Sequence, residues 1–216
     1  MLSTSAYYHE NAQQFFERYR ALSTPDVLGA AVLAIPPCPS LVLDLGSGSG
    51  RDSEWLADLG HIVVSVEPAT ALRDLARAKG QDRRIVHFDA KLPQLDGLEM
   101  FVGGFDFVLC SAVWMHLDAS QRPLAADRLY EIVKPGGAAV VTFKVAPEDR
   151  QRIMFEIDPN DVAEDFRRAG FDIAMNENED LMGRDGTRWF TCVLNKDAAA
   201  VVDPARVTMR YLEVAE

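Results

Sequence analysis

The sequence predicts an α/β fold: a doubly wound, mostly parallel sheet that closes with a C-terminal antiparallel hairpin. Three observations predict it. From Leu41 onward, short apolar and β-branched runs alternate with longer stretches of helical spacing, the pattern of strand-helix-strand units. The strand-like runs are largely apolar rather than alternating, as strands covered by helices on both faces are. After the fifth run the order changes to one helix and two strands joined by a turn containing Asp185-Gly186, a hairpin signal.

Taken in order, "MLSTSAYYHENAQQFFERYR" lacks the basic head and apolar run of a signal peptide and reads as an amphipathic helix. The apolar run "VLGAAVLAI" (27–35) has roughly half the length a bilayer crossing needs and is expected to be a buried helix stopped by Pro36-Pro37. The five parallel strands are "LVLDLG" (41–46), "HIVVSVE" (61–67), "RIVHFDA" (84–90), "FDFVLCSA" (105–112) and "GAAVVTFK" (137–144). Helices are expected between them at 53–59, 69–79 and 120–134, the last closed by Pro135-Gly136-Gly137. "DPNDVAEDFRRAGF" gives a further helix with Asp158 as N-cap, Pro159 at N1 and Gly170 just past the end. The hairpin strands are 171–179 and 187–195. The expected organisation is one domain over 1–216: a helical cap (1–40), a ligand-binding core (41–145), a helix and hairpin on the second-substrate side (146–196), and a tail (197–216) that is a short closing helix or a mobile end.

Composition narrows the function. The 216 residues, 48% hydrophobic, suffice for a core without disulfide or metal staples. Twenty-two basic against 33 acidic residues give a formal charge of -11, which disfavours nucleic acid as a partner because phosphate binding depends on Lys and Arg. Cys38, Cys110 and Cys192 are too few and scattered for a disulfide framework or a zinc site. Reduced thiols in the cytoplasm are expected, with no metal and no membrane partner.

The chemistry concentrates at "LVLDLGSGSGRD". A strand that ends at Gly46 and delivers Gly48 and Gly50 into a helix start makes a tight turn whose unhindered N–H groups can face a ligand. Glu67 ends the second strand about twenty residues on, where an acid accepts from both ribose hydroxyls of an adenosine-type ligand. Asp89 ends the third strand, so Asp44, Glu67 and Asp89 are expected to converge on one crevice. The dinucleotide pattern G-x-G-x-x-G fails because Arg51 stands where its last glycine would be, and no Gly-Lys-Ser/Thr exists for a P-loop. Asp44 would repel a pyrophosphate but suits a ligand bearing an ammonium or sulfonium.

"VLDLGSGSGRD", "VVSVEPA", "VHFDAKLP", "FDFVLCSAVWMHL" and "VKPGG", in this order and spacing, resemble the successive motifs of class I S-adenosylmethionine-dependent methyltransferases, over roughly 41–144. The resemblance implies a Rossmann-like seven-stranded sheet and S-adenosyl-L-methionine as cofactor. It further implies that the backbone of Gly46, Ser47 and Gly48 lies along the methionine part, with Asp44 near its ammonium and Gly50 completing the loop. Glu67 would hold the ribose and Pro68 pack on the adenine or ribose. Asp89 would accept from the adenine amine, the backbone at Ala90 contact the ring, and Ser111 offer a carbonyl to the cofactor amine. Within the family, the amino-terminal helix, "SAVWMHL" and the carboxyl-terminal hairpin resemble a bacterial-type small-molecule methyltransferase group, including members linked to tellurite or thiopurine methylation.

A general base is needed only where the acceptor loses a proton. His116, in the loop after the fourth strand, is the candidate; a histidine there also serves simply to hold the loop. Trp114 and Met115 beside it are either pocket wall or core, whereas Cys110 and Cys192 read as inert core. Tyr7, Tyr8, Phe15, Phe16 and Tyr19 gather on the amino-terminal segment, either as a lid with Tyr8 touching the cofactor or as the buried face of a docked helix. The acid-rich 148–185 region, twelve acids to five bases, favours a neutral or cationic acceptor if it lines the pocket mouth, although Arg184 and Arg188 offer partners for a carboxylate. The expected partner is thus a small-molecule methyl acceptor. The alternatives are a catalytically silent cofactor-binding or regulatory protein and an RNA or protein methyltransferase. Charge opposes RNA, and no Asn-Pro-Pro-Tyr-type element follows the fourth strand.

Overall fold

The structure, a computed structural model, describes residues 3–37, 39–146 and 154–200. Cys38, the start of the acid-rich region and the tail beyond 200 therefore lie outside the described residues. Seven strands form one sheet in the order β3-β2-β1-β4-β5-β7-β6. β1 (Leu41–Leu45), β2 (Ile62–Val66), β3 (Ile85–Phe88), β4 (Phe105–Ser111) and β5 (Val133–Val145) pair in parallel. β7 (Arg188–Asn195) inserts antiparallel between β5 and β6 (Asp172–Asn178). The chain winds outward from β1 to β3 and then returns to place β4 beside β1. The carboxyl ends of β1 and β4 thus form a topological switch point, where open α/β sheets bind ligands.

The apolar strands bury side chains on both faces. On one, Leu43, Val108, Val141 and Cys192 pack against Ala125, Leu129 and Ile132 of α6 (Gln121–Ile132) and Val162 and Phe166 of α7 (Pro159–Ala169). On the other, Val42, Val63, Phe107 and Val140 pack against Leu56 and Ala57 of α4 (Arg51–Asp58), with Leu28 and Ala31 from the amino-terminal segment. A third cluster joins Phe15 and Ala12 to Ala69 and Leu72 at α5 (Thr70–Lys79). The caps of α7 are those expected: Asp158 accepts from Asn160 N at 2.8 Å, and Gly170 takes a left-handed φ of 113°.

Three boundaries differ from the sequence reading. The amino-terminal helix is two, α1 (Thr4–Glu10) and α2 (Ala12–Arg20), because Asn11 leaves helical geometry and its side chain bonds back to Tyr7 O at 2.9 Å. The expected helix over 27–35 ends at Leu28, the last residue of α3 (Thr24–Leu28); Gly29 adopts φ 54°, and Gly29–Ala34 continues as a 3₁₀ run that leaves Leu33 86% exposed. The helix expected to close at Pro135 stops at Ile132, and Pro135-Gly136-Gly137 lie inside β5. Val133 already pairs with Phe105, and the ladder shifts register before Ala138 meets Phe107. Proline and glycine are tolerated there because the bulge needs no ladder donor and Gly136 supplies φ 78°. Among the described residues no helix is long and apolar enough to cross a membrane.

Candidate active site

The turn after β1 is built by backbone conformation and by contact. Gly46 and Gly48 have φ of 73° and 54°, and the N–H groups of Gly46 and Ser47 both donate to Val66 O, at 2.8 and 2.9 Å, tying the loop to the end of β2. A Cβ on Gly46 would lie 2.3 Å from Val113 Cγ2, so the loop after β4 and the loop after β1 can touch only through a glycine. Gly50, φ 74°, opens α4.

Glu67 closes this turn from the side. Its carboxylate accepts from Gly48 N at 2.9 Å and Ala69 N at 2.8 Å while remaining only 7% exposed. Burial pushes its pKa up to about 6, against the pull of those two N–H groups and of Arg73. Arg73, from α5, donates to the Glu67 carbonyl and, at 3.0 Å, to Asp89. Asp44 is fully buried and accepts from Ser53 Oγ at 2.6 Å. Burial first, and then the charge of Asp52, raise its carboxyl to about 7. Arg51 forks onto Asp52 at 2.8 Å for both bonds and donates to Tyr19 O at 3.1 Å.

A cavity of about 750 Å³ opens over the turn. Gly46, Ser47, Gly48, Glu67 and Pro68 line one end; Ser111, Met115 and His116 come from the β4 loop; Tyr8 and Tyr19 come from α1 and α2. Thr142 and Lys144 of β5, Trp189 and Thr191 of β7, and Leu181 and Met182 of the hairpin turn complete the opposite end. Four of the sequence-nominated residues are not in this wall. Asp44 is buried against α4, Gly50 starts that helix, Ala90 is in the core, and Asp89 has a side chain 62% exposed and paired to Arg73. Trp114 is fully buried with its ring centroid 4.8 Å from that of Phe166, so it is core, while Met115 faces the cavity. Cys110 and Cys192 are buried, and burial raises both thiols, Cys192 to about 12.

Across the cavity, Tyr8 Oη lies 3.1 Å from His116 Nε2, with the rings edge to face at 5.5 Å. Tyr19 Oη donates to Tyr8 Oη at 3.4 Å. Phe15 is 4% exposed and packs beneath both tyrosines. One edge of the aromatic cluster is buried against α5, and Tyr8 and Tyr19 on the other line the cavity. Arg184 and Arg188 are paired to Asp180 and Glu177. Among the described residues no group of three or more His, Cys, Asp or Glu is placed to hold a metal ion.

Sequence reasoning missed Arg73, Arg51 as the clamp on the cap, and the wall formed by Thr142, Lys144 and Thr191. A signal existed for the last: "GAAVVTFK" is apolar until Thr142 and Lys144, two residues apart and hence on one face. Arg73 gave none, because an arginine within "ATALRDLARAK" looks like any solvated helix position. Chemically, the arrangement offers a buried carboxylate at one end of a cavity, a histidine in the middle and a second polar wall beyond; the N–H groups of Gly46, Ser47 and Gly48, expected to face a ligand, instead donate to Val66 O and Glu67. The cavity has room for two molecules side by side.

The family model described as a methyltransferase domain matches residues 43–141. An uncharacterised methyltransferase of Oceanobacillus iheyensis is 27% identical over 99 residues, covering 46% of this chain and 44% of that protein. A probable S-adenosyl-L-methionine-dependent methyltransferase, TehB of Haemophilus influenzae, is 26% identical over 148 residues, covering 68% and 50%. The chain spans about two fifths of the length of the first curated relatives it matches. Among solved structures, Haemonchus contortus phosphoethanolamine N-methyltransferase 2, bound to phosphomonomethylethanolamine and S-adenosylhomocysteine, superposes with a TM-score of 0.69 at 14% identity. That match covers 91% of this chain and 61% of the other and shows a shared fold.

Proposed function

We propose that the chain is a class I S-adenosylmethionine-dependent methyltransferase, a reading supported by the methyltransferase-domain match over residues 43–141, and that it moves a methyl group from that cofactor to a small-molecule acceptor in the cytoplasm. The observation that carries this reading is Glu67: a buried carboxylate, anchored on one side by Gly48 N and Ala69 N and facing a cavity with its remaining lone pairs. A ribose diol is the ligand group that such an acceptor pair suits, and the cofactor fits a cavity of this size with space left for a second molecule. The cofactor, when bound, supplies a methyl group on positively charged sulfur.

The chain's residues then divide the work. Gly46, Ser47 and Gly48 present backbone to the methionine part, Asp44 sets a negative charge behind the loop for its ammonium, and Gly50 holds the loop open. Pro68 and the backbone at Ala90 pack against the nucleoside, Asp89 accepts at its amine, and Ser111 offers a carbonyl. Alignment and water exclusion supply most of the acceleration, because the carbon is already activated. Where the acceptor carries a proton that must leave, His116 Nε2 takes it, and the Tyr8 hydroxyl 3.1 Å away holds the imidazole in place. The thiols of Cys110 and Cys192, both buried and unpaired with each other, accord with a reducing compartment.

Calorimetry on the full chain tests this. S-adenosylmethionine and S-adenosylhomocysteine are expected to bind, and NAD to bind far more weakly. Glu67→Ala is expected to lose at least tenfold in affinity for both sulfur ligands, since a charge-assisted hydrogen bond contributes roughly 1.5 to 3 kcal/mol. Tighter binding of NAD, or an unchanged affinity in Glu67→Ala, would overturn the reading. A screen of metabolites with labelled methyl donor then separates an enzyme from a silent cofactor-binding protein.

A further inference from the structure

We propose that Thr142 is a positioning residue for cofactor binding: its hydroxyl oxygen pins Ala112 in a strained backbone conformation, and through Ala112 it seats Val113 on the glycine turn. This goes beyond the division of work above and rests on the reading of the cavity as the S-adenosylmethionine site. The starting point is backbone geometry. Among the described residues two that are not glycine have positive φ, Leu95 at 54° and Ala112 at 59°. Leu95 is fully buried in the core, whereas Ala112 lines the cavity. A Cβ disfavours this conformation, and it persists only where the surroundings hold it.

What holds Ala112 is Thr142, on the neighbouring strand. The Ala112 N–H donates both to Thr142 O and to Thr142 Oγ1, each at 3.0 Å. Thr142 is 2% exposed and pairs in register with Ser111, the last residue of β4, and its Oγ1 lies 3.4 Å from Ser111 Oγ. The chain therefore turns out of β4 at a point fixed from β5. The backbone acceptor is present whatever residue stands at this position; the second acceptor exists only because the residue carries a hydroxyl.

The turn at Ala112 decides where the next residues go. Val113 comes to lie on Gly46, so close that a Cβ there would meet its Cγ2 at 2.3 Å. Beyond it, Trp114 is fully buried against Phe166, and His116 N donates to Val113 O at 2.9 Å. Ala112 and Val113 thus span two fixed points, the end of β4 and Trp114, and Val113 is where that span meets the turn after β1. The turn is tied on its other side by the bond from Gly48 N to Glu67 at 2.9 Å. If the pin is lost, Val113 is free to lift from Gly46. The residues released are those at the cofactor end of the cavity: Gly46, Ser47 and Gly48. Thr142 thereby acts on cofactor binding from β5, through Ala112 and Val113.

Calorimetry with S-adenosylhomocysteine on the full chain tests this. Thr142→Val keeps the branched shape but removes the oxygen, and it is expected to bind about threefold more weakly or worse. Thr142→Ser keeps the oxygen and is expected to retain most of the affinity. Glycine adopts positive φ without a pin. In an Ala112→Gly background, adding Thr142→Val is therefore expected to change affinity by less than about 1.5-fold, a coupling that marks Ala112 as the residue through which Thr142 acts. A purely structural threonine would lower the urea midpoint and leave the affinity of the folded protein where it was. Undiminished affinity in Thr142→Val, an equal loss in the two backgrounds, or a loss in Thr142→Ser as large as in Thr142→Val would overturn the proposal. Amide hydrogen exchange on the unmodified chain tests the pin without a variant: Ala112 N–H is expected to exchange as slowly as the N–H groups of β4, and exchange at the rate of an open loop would overturn it. Failure of S-adenosylhomocysteine to bind the unmodified chain would overturn the underlying methyl-transfer reading and this one with it.

Discussion

Asp44 is a carboxylate taken out of water and given one hydroxyl, that of Ser53, as its hydrogen-bond donor. Its carboxyl is raised from an ordinary 3.8 to about 7, chiefly by burial. The folded state therefore holds a proton between these values that the unfolded state has lost, and stability must fall as pH rises through that window. Glu67, raised to about 6, acts in the same direction over a narrower range. The cost of ionising Asp44 in the folded state is complete above pH 7 and amounts to at most about 4 kcal/mol. Asp44→Asn keeps the shape and an acceptor for Ser53, so without ligand it should be more stable than the unmodified chain at pH 8 and gain little at pH 4.5. Urea unfolding at the two pH values measures this, and parallel pH dependence in the two proteins would dismiss Asp44 as the source. A buried carboxylate that costs stability is one that sequence can nominate from position. Its environment is another matter: "LVLDLGSGSG" made Asp44 visible, but its burial follows from α4 packing over it. Arg73 shows the reverse, since it touches both Glu67 and Asp89 yet sits in a helix whose spacing says nothing about ligands.

At the level of elements, the junction of α6 and β5 shows where local signals lose. Lys134-Pro135-Gly136-Gly137 reads as a helix stop, but the strand has begun at Val133 because pairing with Phe105 outweighs the preference of two residues that can sit in a bulge. What makes the early stop tolerable is Lys196, 4% exposed, whose Nζ donates to Tyr130 O at 2.7 Å and Val133 O at 2.8 Å and lies 4.2 Å from the Tyr130 ring centroid. It satisfies carbonyls that the helix end would leave open. Replacing it by methionine keeps the packing volume and removes both donors, which should cost about 2 to 4 kcal/mol. The check is the urea midpoint, with S-adenosylhomocysteine affinity of the folded protein unchanged because the junction is at the opposite end of β5 from the cavity. A midpoint within error of the original would mean that water replaces the lysine. The elements bounded by side-chain caps, such as α7 between Asp158 and Gly170, were legible. Those bounded by long-range pairing, or broken by a single Asn11 or Gly29, were not, since their ends depend on neighbours distant in sequence.

For the molecule as a whole, the question is how the amino-terminal segment is coupled to the sheet that carries the ligand space. Its aromatic face packs on α5, but its fixed points are charged and lie on α4. Arg20 forks onto Glu54 at 2.8 Å for both bonds, Arg51 reaches Tyr19 O at 3.1 Å, and Thr24 Oγ1 donates to Asp52 at 2.5 Å. Each contact attaches to the helix that begins at Gly50, so the cap is held by the same element that follows the glycine turn. Tyr8 and Tyr19 on that cap line the cavity, which makes the cap part of the site rather than a cover placed beside it. Local opening of the cap should therefore be cheaper than unfolding of the sheet and should be suppressed by ligand. The Arg20–Glu54 pair is about a quarter exposed on each side and, with its bidentate geometry, contributes about 1 kcal/mol. Arg20→Ala should consequently raise amide hydrogen exchange in α1 and α2 about fivefold while leaving β1 and β4 unchanged, and S-adenosylhomocysteine should slow that exchange in both proteins. Faster exchange spread evenly over the sheet would show that cap and core open as one unit. An unaltered cap would move the anchoring to the aromatic face.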